Sequence, residues 1–477
     1  MVEKKNSKQL VVIGAGPGGY AAAFLAADLG MQVTLIDPEP NPGGVCLYRG
    51  CIPSKALLHA AKVITNSGEA KDWGVEFSKP KIDLDKMRSW KDNVVKKLTS
   101  GLGQLCKRRK IDYIQGKATF VDDRTLRVTK NTGNSEQLFF KHAILATGSH
   151  PAGIADLSIE SPRVLNSTTA LGLENIPNSL LIVGGGYIGL ELGTVYATLG
   201  TKVSVVEMMP GLLPGVDRDL VSVLSKRIEN LFETIMLNST VAWMKVQKNG
   251  IKMKFEGEGL EKKENLYEKV LISVGRKPNS NNLGLENTKV EVDNKGFIKV
   301  NKQRQTAEPS IYAIGDVVGE PMLAHKASHE ARTAVETIAG HKVAFEPRAI
   351  PAVVFTDPEI AWCGLTETQA REKNLKLEIA KFPWGASGRA ITLGRSDGLT
   401  KLIIEPETKK ILGVGIAGAG AGELISEGVL AIEMGASVSD IMLTVHPHPT
   451  LSETIMEAAE VFFGQSPHFY RPKRDRM

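Results

Sequence analysis

The sequence predicts an α/β chain in which two parallel-sheet units share one strand–turn–helix–strand plan and an α+β portion follows them. Three observations carry this prediction. Residues 10–40 read LVVIGAGPGGYAAAFLAADLGMQVTLIDPEP, an apolar strand, a glycine turn, an alanine-rich helix and a second strand closing on Asp37. Residues 180–210 read LLIVGGGYIGLELGTVYATLGTKVSVVEMMP and match the first segment without a gap at an offset of 170. From Ile350 on, alternating strands and the helical run GELISEGVLAIEMGA indicate an α+β portion.

Gly14, Gly16 and Gly19 fall on Gly184, Gly186 and Gly189, and Asp37 falls on Glu207. In such a unit one glycine makes the turn, one lets backbone approach a pyrophosphate, and one lets helix and strand pack closely. Phosphate sits at the helix N-terminus, where unpaired N–H groups favour anions. Each acid stands where a ribose diol would donate to it. Both units are therefore expected to be Rossmann-like dinucleotide-binding domains. Glu207 would accept from a free 2′-hydroxyl and repel a 2′-phosphate, and no arginine follows it in VVEMMPG, which favours NAD over NADP. A third match, Gly413-x-Gly415-x-x-Gly418, lacks the second strand and its acid. It reads as a glycine-rich strand-to-helix turn without a nucleotide.

A chain of 477 residues exceeds one core, so roughly three domains are expected. A net charge of +6, with basic residues spread along the chain, argues against a nucleic-acid partner. The densest cluster, Lys107 to Lys110, reads as a solvated helix end. No apolar run approaches the ~18 residues of a membrane span, and the short polar start gives no signal peptide. A cytoplasmic setting is expected, or the mitochondrial matrix if a presequence has been removed.

Four cysteines make no disulfide scaffold. Cys46 and Cys51, in GGVCLYRGCIPSK, flank a short loop leading into a helical-looking segment from Ala56. A disulfide closing so short a loop restrains the unfolded chain little, so stapling explains it poorly. A redox role explains it better, since a helix N-terminus stabilises a thiolate and Arg49 adds positive charge. Zinc would need two further ligands that no spacing supplies; no metal is expected. Thiol chemistry needs a base, and His446-Pro-His448-Pro-Thr-Leu-Ser-Glu453 offers one: His448 with Glu453 orienting it, and Thr450 capping the helix that follows. His446 reads as a structural residue.

The two-cysteine motif after the first glycine fingerprint resembles the class I pyridine nucleotide–disulfide oxidoreductases. The runs KALLHAAKVI, GDVVGEPMLAHKASHEA, FPWGASGRAI and HPHPTLSE resemble the bacterial dihydrolipoamide dehydrogenases within that class. The resemblance covers essentially the whole chain. It implies oxidation of a protein-bound dihydrolipoyl group with reduction of NAD, through FAD. Cys46 would be the interchange thiol, and Cys51 the thiol in charge-transfer contact with the flavin. Lys55 would lie beside the flavin ring, and Asp316, in TAEPSIYAIGD, on its ribityl chain. FAD would be held by Gly14, Gly16, Gly19, Asp37, Lys55, Thr147, Gly148, Asp316 and Ala324. NAD would be held by Gly184, Gly186, Tyr187, Gly189, Glu191, Glu207 and Gly275, with Tyr187 covering the flavin until NAD enters. The implied partners are the lipoyl domain of a dihydrolipoyl acyltransferase, that acyltransferase's subunit-binding domain, and a second copy of the chain in a homodimer.

The expected layout is an FAD domain from residues 1–150 and 281–350, an NAD domain from 151–280, and a dimerisation domain from 351–477. Thr147-Gly148 would lead out of the first domain and the turn Arg276 to Asn279 would lead back. The basic tail from Gln465 is expected to be loosely ordered. Four positions depart from the family pattern: Tyr48-Arg49 for asparagine and a small or aliphatic residue, Pro447 for alanine, and Asp37 for glutamate. The competing reading is a reductase of the glutathione type, which would use NADP.

Overall fold

The computed structural model describes residues 7–154, 157, 159–257 and 263–470. The first unit runs through β1 (Lys8–Ile13), α1 (Pro17–Asp28) and β2 (Val33–Asp37). Next come α2 (Gly44–Arg49), α3 (Cys51–Glu69) and α4 (Leu84–Arg108). Strands 112–122, β2, β1, 135–145 and 311–313 lie parallel in that order. The strand Thr125–Lys130 bridges the ends of 112–122 and 135–145 as an antiparallel meander.

The apolar run of β1 splits by alternation. Leu10 and Val12 join Leu35 and the buried alanines of α1 on one face, whereas Val11 and Ile13 join Ile36 on the other. Burial on both faces is what a parallel sheet covered on each side requires.

The second unit repeats the arrangement. Strands 234–236, 202–206, 179–183, 269–272 and 164–166 lie parallel in that order, beside an antiparallel meander of the strands 239–247, 250–257 and 264–267. Leu180 and Ile182 face one cluster, Leu181 and Val183 the other. The connection between the units differs from the expected turn. Arg276–Pro278 is a short strand, antiparallel to Ser149–Pro151, so the outgoing and returning chains pair with each other.

The third part is a five-stranded antiparallel sheet packed with helices Ala421–Met434, Val438–Leu443 and Glu453–Phe463. Gly413, Gly415 and Gly418 lie inside its strand Ile411–Gly418 rather than in a turn. A Cβ on Gly413 would stand 2.0 Å from the Leu365 carbonyl oxygen, and one on Gly418 would stand 2.4 Å from the Trp384 ring. These glycines answer to packing. The tail is also better anchored than expected up to residue 470: Ser466 and His468 both hydrogen-bond the buried Glu457. Residues 471–477 lie outside the described residues. Among the described residues no helix is long and apolar enough to cross a membrane.

Candidate active site

The two glycine turns fold alike. Gly14 has φ +97° and Gly184 φ +105°, a region that L side chains rarely adopt. Gly19 packs on the Gly14 carbonyl and Gly189 on that of Gly184, so close that a Cβ would lie 1.8 and 2.6 Å from those oxygens. The middle positions differ in kind. A Cβ on Gly16 would meet only the Gly44 Cα at 4.0 Å, and one on Gly186 nothing within 4 Å. Each middle glycine therefore keeps a space clear over a helix N-terminus.

The acids also repeat. Asp37 accepts from the N–H of Ala15 at 2.7 Å and of Glu39 at 2.9 Å. Glu207 accepts from Gly185 at 2.6 Å and Met209 at 2.8 Å, the same partners at the same offset. Each acid thus holds the glycine turn to the end of the second strand. Burial pushes Asp37 up to about 6, against the pull of the Ala15 N–H and of Arg49.

One cavity of about 650 Å³ runs from Asp37, Gly14 and Gly16 past Thr147, Gly148 and Asp316 to Cys46, Cys51 and Lys55, with Ala324 in its wall. This volume is typical of a cofactor site. Gly19 is not in the lining, in keeping with its packing role. Of the residues expected to hold the second nucleotide, Tyr187 and Glu191 line this cavity. Gly184, Gly186, Gly189, Glu207 and Gly275 stand outside it, around the second turn. Tyr187 opens its helix and is 41% exposed, so its ring is at the mouth rather than in the core.

The cysteines do not flank a loop. Cys46 lies within α2, Gly50 breaks the chain, and Cys51 is the first residue of α3. Cys51 therefore sits at a helix N-terminus, where a thiolate is favoured. Its pKa is lowered to about 7, chiefly by the hydrogen bond from the Cys46 thiol, with burial opposing and the Lys55 charge assisting. Cys46, as the donor of that bond and itself buried, is pushed up. In the reduced, cofactor-free protein the thiolate absorbance near 240 nm should accordingly rise as pH passes upward through 7, and Cys51→Ser should remove that step. A step that survived Cys51→Ser would assign the acidic thiol to Cys46.

Glu191 also has partners that its sequence neighbourhood does not indicate: its buried carboxylate accepts from Lys55 Nζ at 2.7 Å, Ser54 Oγ at 3.1 Å and the Phe355 N–H at 3.0 Å. Lys55 in turn lies 4.6 Å over the Phe355 ring. A charged residue 136 positions from Lys55 leaves no local signal in the sequence. Asn279 was equally hidden in its turn-like tetrapeptide. It donates to the Thr147 carbonyl at 2.8 Å, while Thr147 Oγ1 donates to the Asn279 carbonyl at 2.7 Å. Asp316 accepts from Ser149 Oγ, which accepts from Arg276 Nε at 2.7 Å.

His448 Nδ1 lies 2.8 Å from Glu453 Oε1, and the imidazole is 71% exposed. Burial would raise Glu453, but the Thr450 N–H and His448 outweigh it and lower its pKa. Thr450 does not cap the helix as expected: Glu453 is the first helical residue, and Thr450 offers Glu453 Oε2 its backbone N–H at 2.7 Å. His446 is buried between Glu427 and the Thr444 carbonyl, a structural residue. His448 is not among the residues that line the cavity.

Whether this cavity suits FAD is decided by its own donors. The cleared space over Gly16 at the start of α1, the acid ending β2, and Asp316 midway match the diphosphate, ribose and ribityl parts of a flavin dinucleotide. Lys55 beside the cysteine pair marks the ring end. The residues fit.

Comparison with known proteins agrees. A family model described as pyridine nucleotide-disulphide oxidoreductase matches residues 8–331, and its dimerisation domain matches 350–459. The chain is similar to dihydrolipoyl dehydrogenase of Buchnera aphidicola subsp. Acyrthosiphon pisum, 49% identical over 97% of this chain and 98% of that protein. It is also similar to dihydrolipoyl dehydrogenase of Bacillus subtilis, 45% identical over 97% of each. Among solved structures, LpdA of Mycobacterium tuberculosis superimposes with a TM-score of 0.88 at 25% identity, covering 95% of this chain and 99% of that one. The HOCl-induced flavoprotein disulfide reductase RclA of Escherichia coli, in its Cu(II) complex, gives 0.85 at 27% identity, covering 96% and 99%. With its glycine turns, cysteine pair and C-terminal domain all accounted for, the chain belongs to the pyridine nucleotide-disulphide oxidoreductase family.

Proposed function

We propose that the protein oxidises protein-bound dihydrolipoamide to lipoamide and reduces NAD to NADH, as the shared component of 2-oxoacid dehydrogenase complexes. The observation that carries this reading is the single cavity joining a dinucleotide turn to the Cys46–Cys51 pair. The dihydrolipoyl dehydrogenases among its relatives support the substrate. Bound FAD supplies the two-electron chemistry linking thiol oxidation to nicotinamide reduction.

The chain's own residues do the rest. Glu453 on Nδ1 holds the imidazole proton there and leaves Nε2 free to accept one. His448 takes the proton of a substrate thiol, and the thiolate attacks Cys46 of an oxidised Cys46–Cys51 pair. The Cys46–Cys51 bond breaks, and Cys51 leaves as the thiolate its helix terminus favours. The second substrate thiol then displaces Cys46, releasing the lipoyl disulfide and leaving both cysteines reduced. Gly14, Gly16, Asp37, Thr147, Gly148, Asp316 and Ala324 hold FAD in this reading, with Gly19 shaping the turn. Gly184, Gly186, Gly189, Glu207 and Gly275 hold NAD, and Tyr187 covers the ring end. Glu191 orients Lys55.

The sheet pairings support dividing the chain near residues 150, 280 and 350, with the outer segments forming the FAD domain. The matched dimerisation domain supports a homodimer. The lipoyl domain and the subunit-binding domain of a dihydrolipoyl acyltransferase are the proposed partners, and the cytoplasm the proposed setting.

The test is NADH formation at 340 nm from dihydrolipoamide and NAD by flavin-loaded protein. NAD should exceed NADP in kcat/KM by at least about 100-fold, because the Glu207 carboxylate faces the 2′-phosphate and like charges across an interface cost several kcal/mol. Arg218, the next arginine along, donates to the carbonyls of Leu212, Leu213 and Val216 and is not free to compensate. Glutathione disulfide reduction with NADP as the preferred nucleotide would replace this reading by the competing one.

A further inference from the structure

The helix that carries Cys46 ends in Tyr48 and Arg49; the cation acting on the thiols is Lys55 rather than Arg49 as the sequence suggested. Tyr48 Oη donates to the Asn41 carbonyl at 3.0 Å and accepts from the Asn41 N–H at 3.3 Å. Arg49 forms an ion pair with Glu39. Both contacts cross from α2 to the segment that follows β2. That segment is held on its other side by Tyr113, which donates to the Glu39 carbonyl at 2.9 Å, and by Asn131, which donates to the Pro38 carbonyl at 2.8 Å.

Arg49, Pro38 and Glu39 line the cavity at the end where Asp37 stands. Their partial exposure, 41% for the arginine side chain and 22% for the glutamate, puts the pair on the rim rather than in the interior. The two lips of the adenosine end are therefore joined by this charge pair beside the Tyr48–Asn41 hydrogen bonds. We propose that the Arg49–Glu39 bridge is a strap across the adenosine end of the cavity and that it slows the release of bound FAD. This rests on the reading that the cavity holds FAD. The guanidinium also stabilises the charged form of Asp37, the acid expected to accept from the ribose, so the strap and the ribose acceptor support each other.

The experiment uses flavin-loaded protein diluted into mild urea, with release followed by the rise of free-flavin fluorescence. Arg49→Val and Glu39→Gln should each speed release by roughly two- to fivefold, the range of a partly exposed ion pair. The double variant should release no faster than either single one, since both lose the same contact. Arg49→Lys should keep most of the slow release, and high salt should speed release from the unmodified protein but not from the double variant. Arg49→Lys and Glu39→Gln carry the test if Arg49→Val does not fold. Unchanged release in Glu39→Gln, or additive effects in the double variant, would overturn the strap. Protein that neither purifies with flavin nor takes it up would instead overturn the FAD reading beneath it.

Discussion

His448→Gln is expected to lower dihydrolipoamide oxidation by roughly 10²- to 10⁴-fold, the usual contribution of a positioned general base. The loss should appear in kcat with the dithiol, because glutamine keeps a polar contact to Glu453 but cannot take the thiol proton. The exposure of His448 and its absence from the cavity lining add a second expectation. The imidazole is expected to act on the cysteine pair of another copy. Mixing subunits that carry Cys51→Ser with subunits that carry His448→Gln should then restore activity. Each mixed dimer holds one site with both lesions and one intact site. Half of the dimers being mixed, about a quarter of full activity should return. No recovery, in a sample where mixed dimers are shown by mass, would put His448 and its cysteines in the same chain.

Lys401→Met is expected to be the most destabilising single change outside the active site. Lys401 Nζ is fully buried and donates to Asp217 at 2.6 Å, Asp219 at 2.8 Å and Glu367 at 2.9 Å. The two aspartates start a helix of the middle unit, and Lys401 lies in the C-terminal sheet. Among the described residues these three carboxylates are the one grouping with the spacing of a cation site, and an ammonium fills it. Removing one partner from a buried charge cluster costs about 3–5 kcal/mol.

The pH dependence gives the sign. Burial alone would raise Asp219, but Lys381 and Lys401 outweigh it, so its folded-state pKa is depressed. A depressed carboxyl adds stability above its unfolded pKa and loses it as pH falls through the folded value. The methionine variant lacks most of that contribution, so its deficit should be full near pH 7 and shrink only below the ordinary carboxylate range, toward about pH 3. Denaturant melts at the two pH values check this, and an equal deficit at both would mean that packing dominates.

What the sequence made legible is what its residues encode locally. Gly14-x-Gly16-x-x-Gly19 and its copy 170 positions on were readable because turn, helix start and closing acid lie within one short segment. His448 and Glu453 were readable for the same reason, five positions apart. The helix around Cys46 was not, because its six residues have glycines at both ends and no apolar period to detect. The tetrapeptide from Arg276 to Asn279 read as a turn because it ends in proline and asparagine; only the pairing of Arg276–Pro278 with Ser149–Pro151 makes a strand of it. The pairing of Glu191 with Lys55 was not legible because the sequence neighbours of Glu191 belong to the nucleotide unit while its partners, Ser54, Lys55 and Phe355, come from two other parts of the chain. Contacts between distant segments leave no periodicity.

The pairing of Ala313 with Leu145 bears on how the protein is made. The middle sheet uses strands from Val164 to Ile272 and can close as soon as that continuous stretch has left the ribosome. The first sheet cannot. Its last strand follows the fifth by 168 positions, so at the usual elongation rate of about 5–20 residues per second it stays open for roughly 10–30 s. During that interval the strand Ser135–Leu145 offers an unpaired, apolar edge to the cell, the kind of surface that other chains can join. The nascent protein should therefore depend on chaperones before Ile311 emerges and much less afterwards, with the finished middle unit hanging from a half-built neighbour in between.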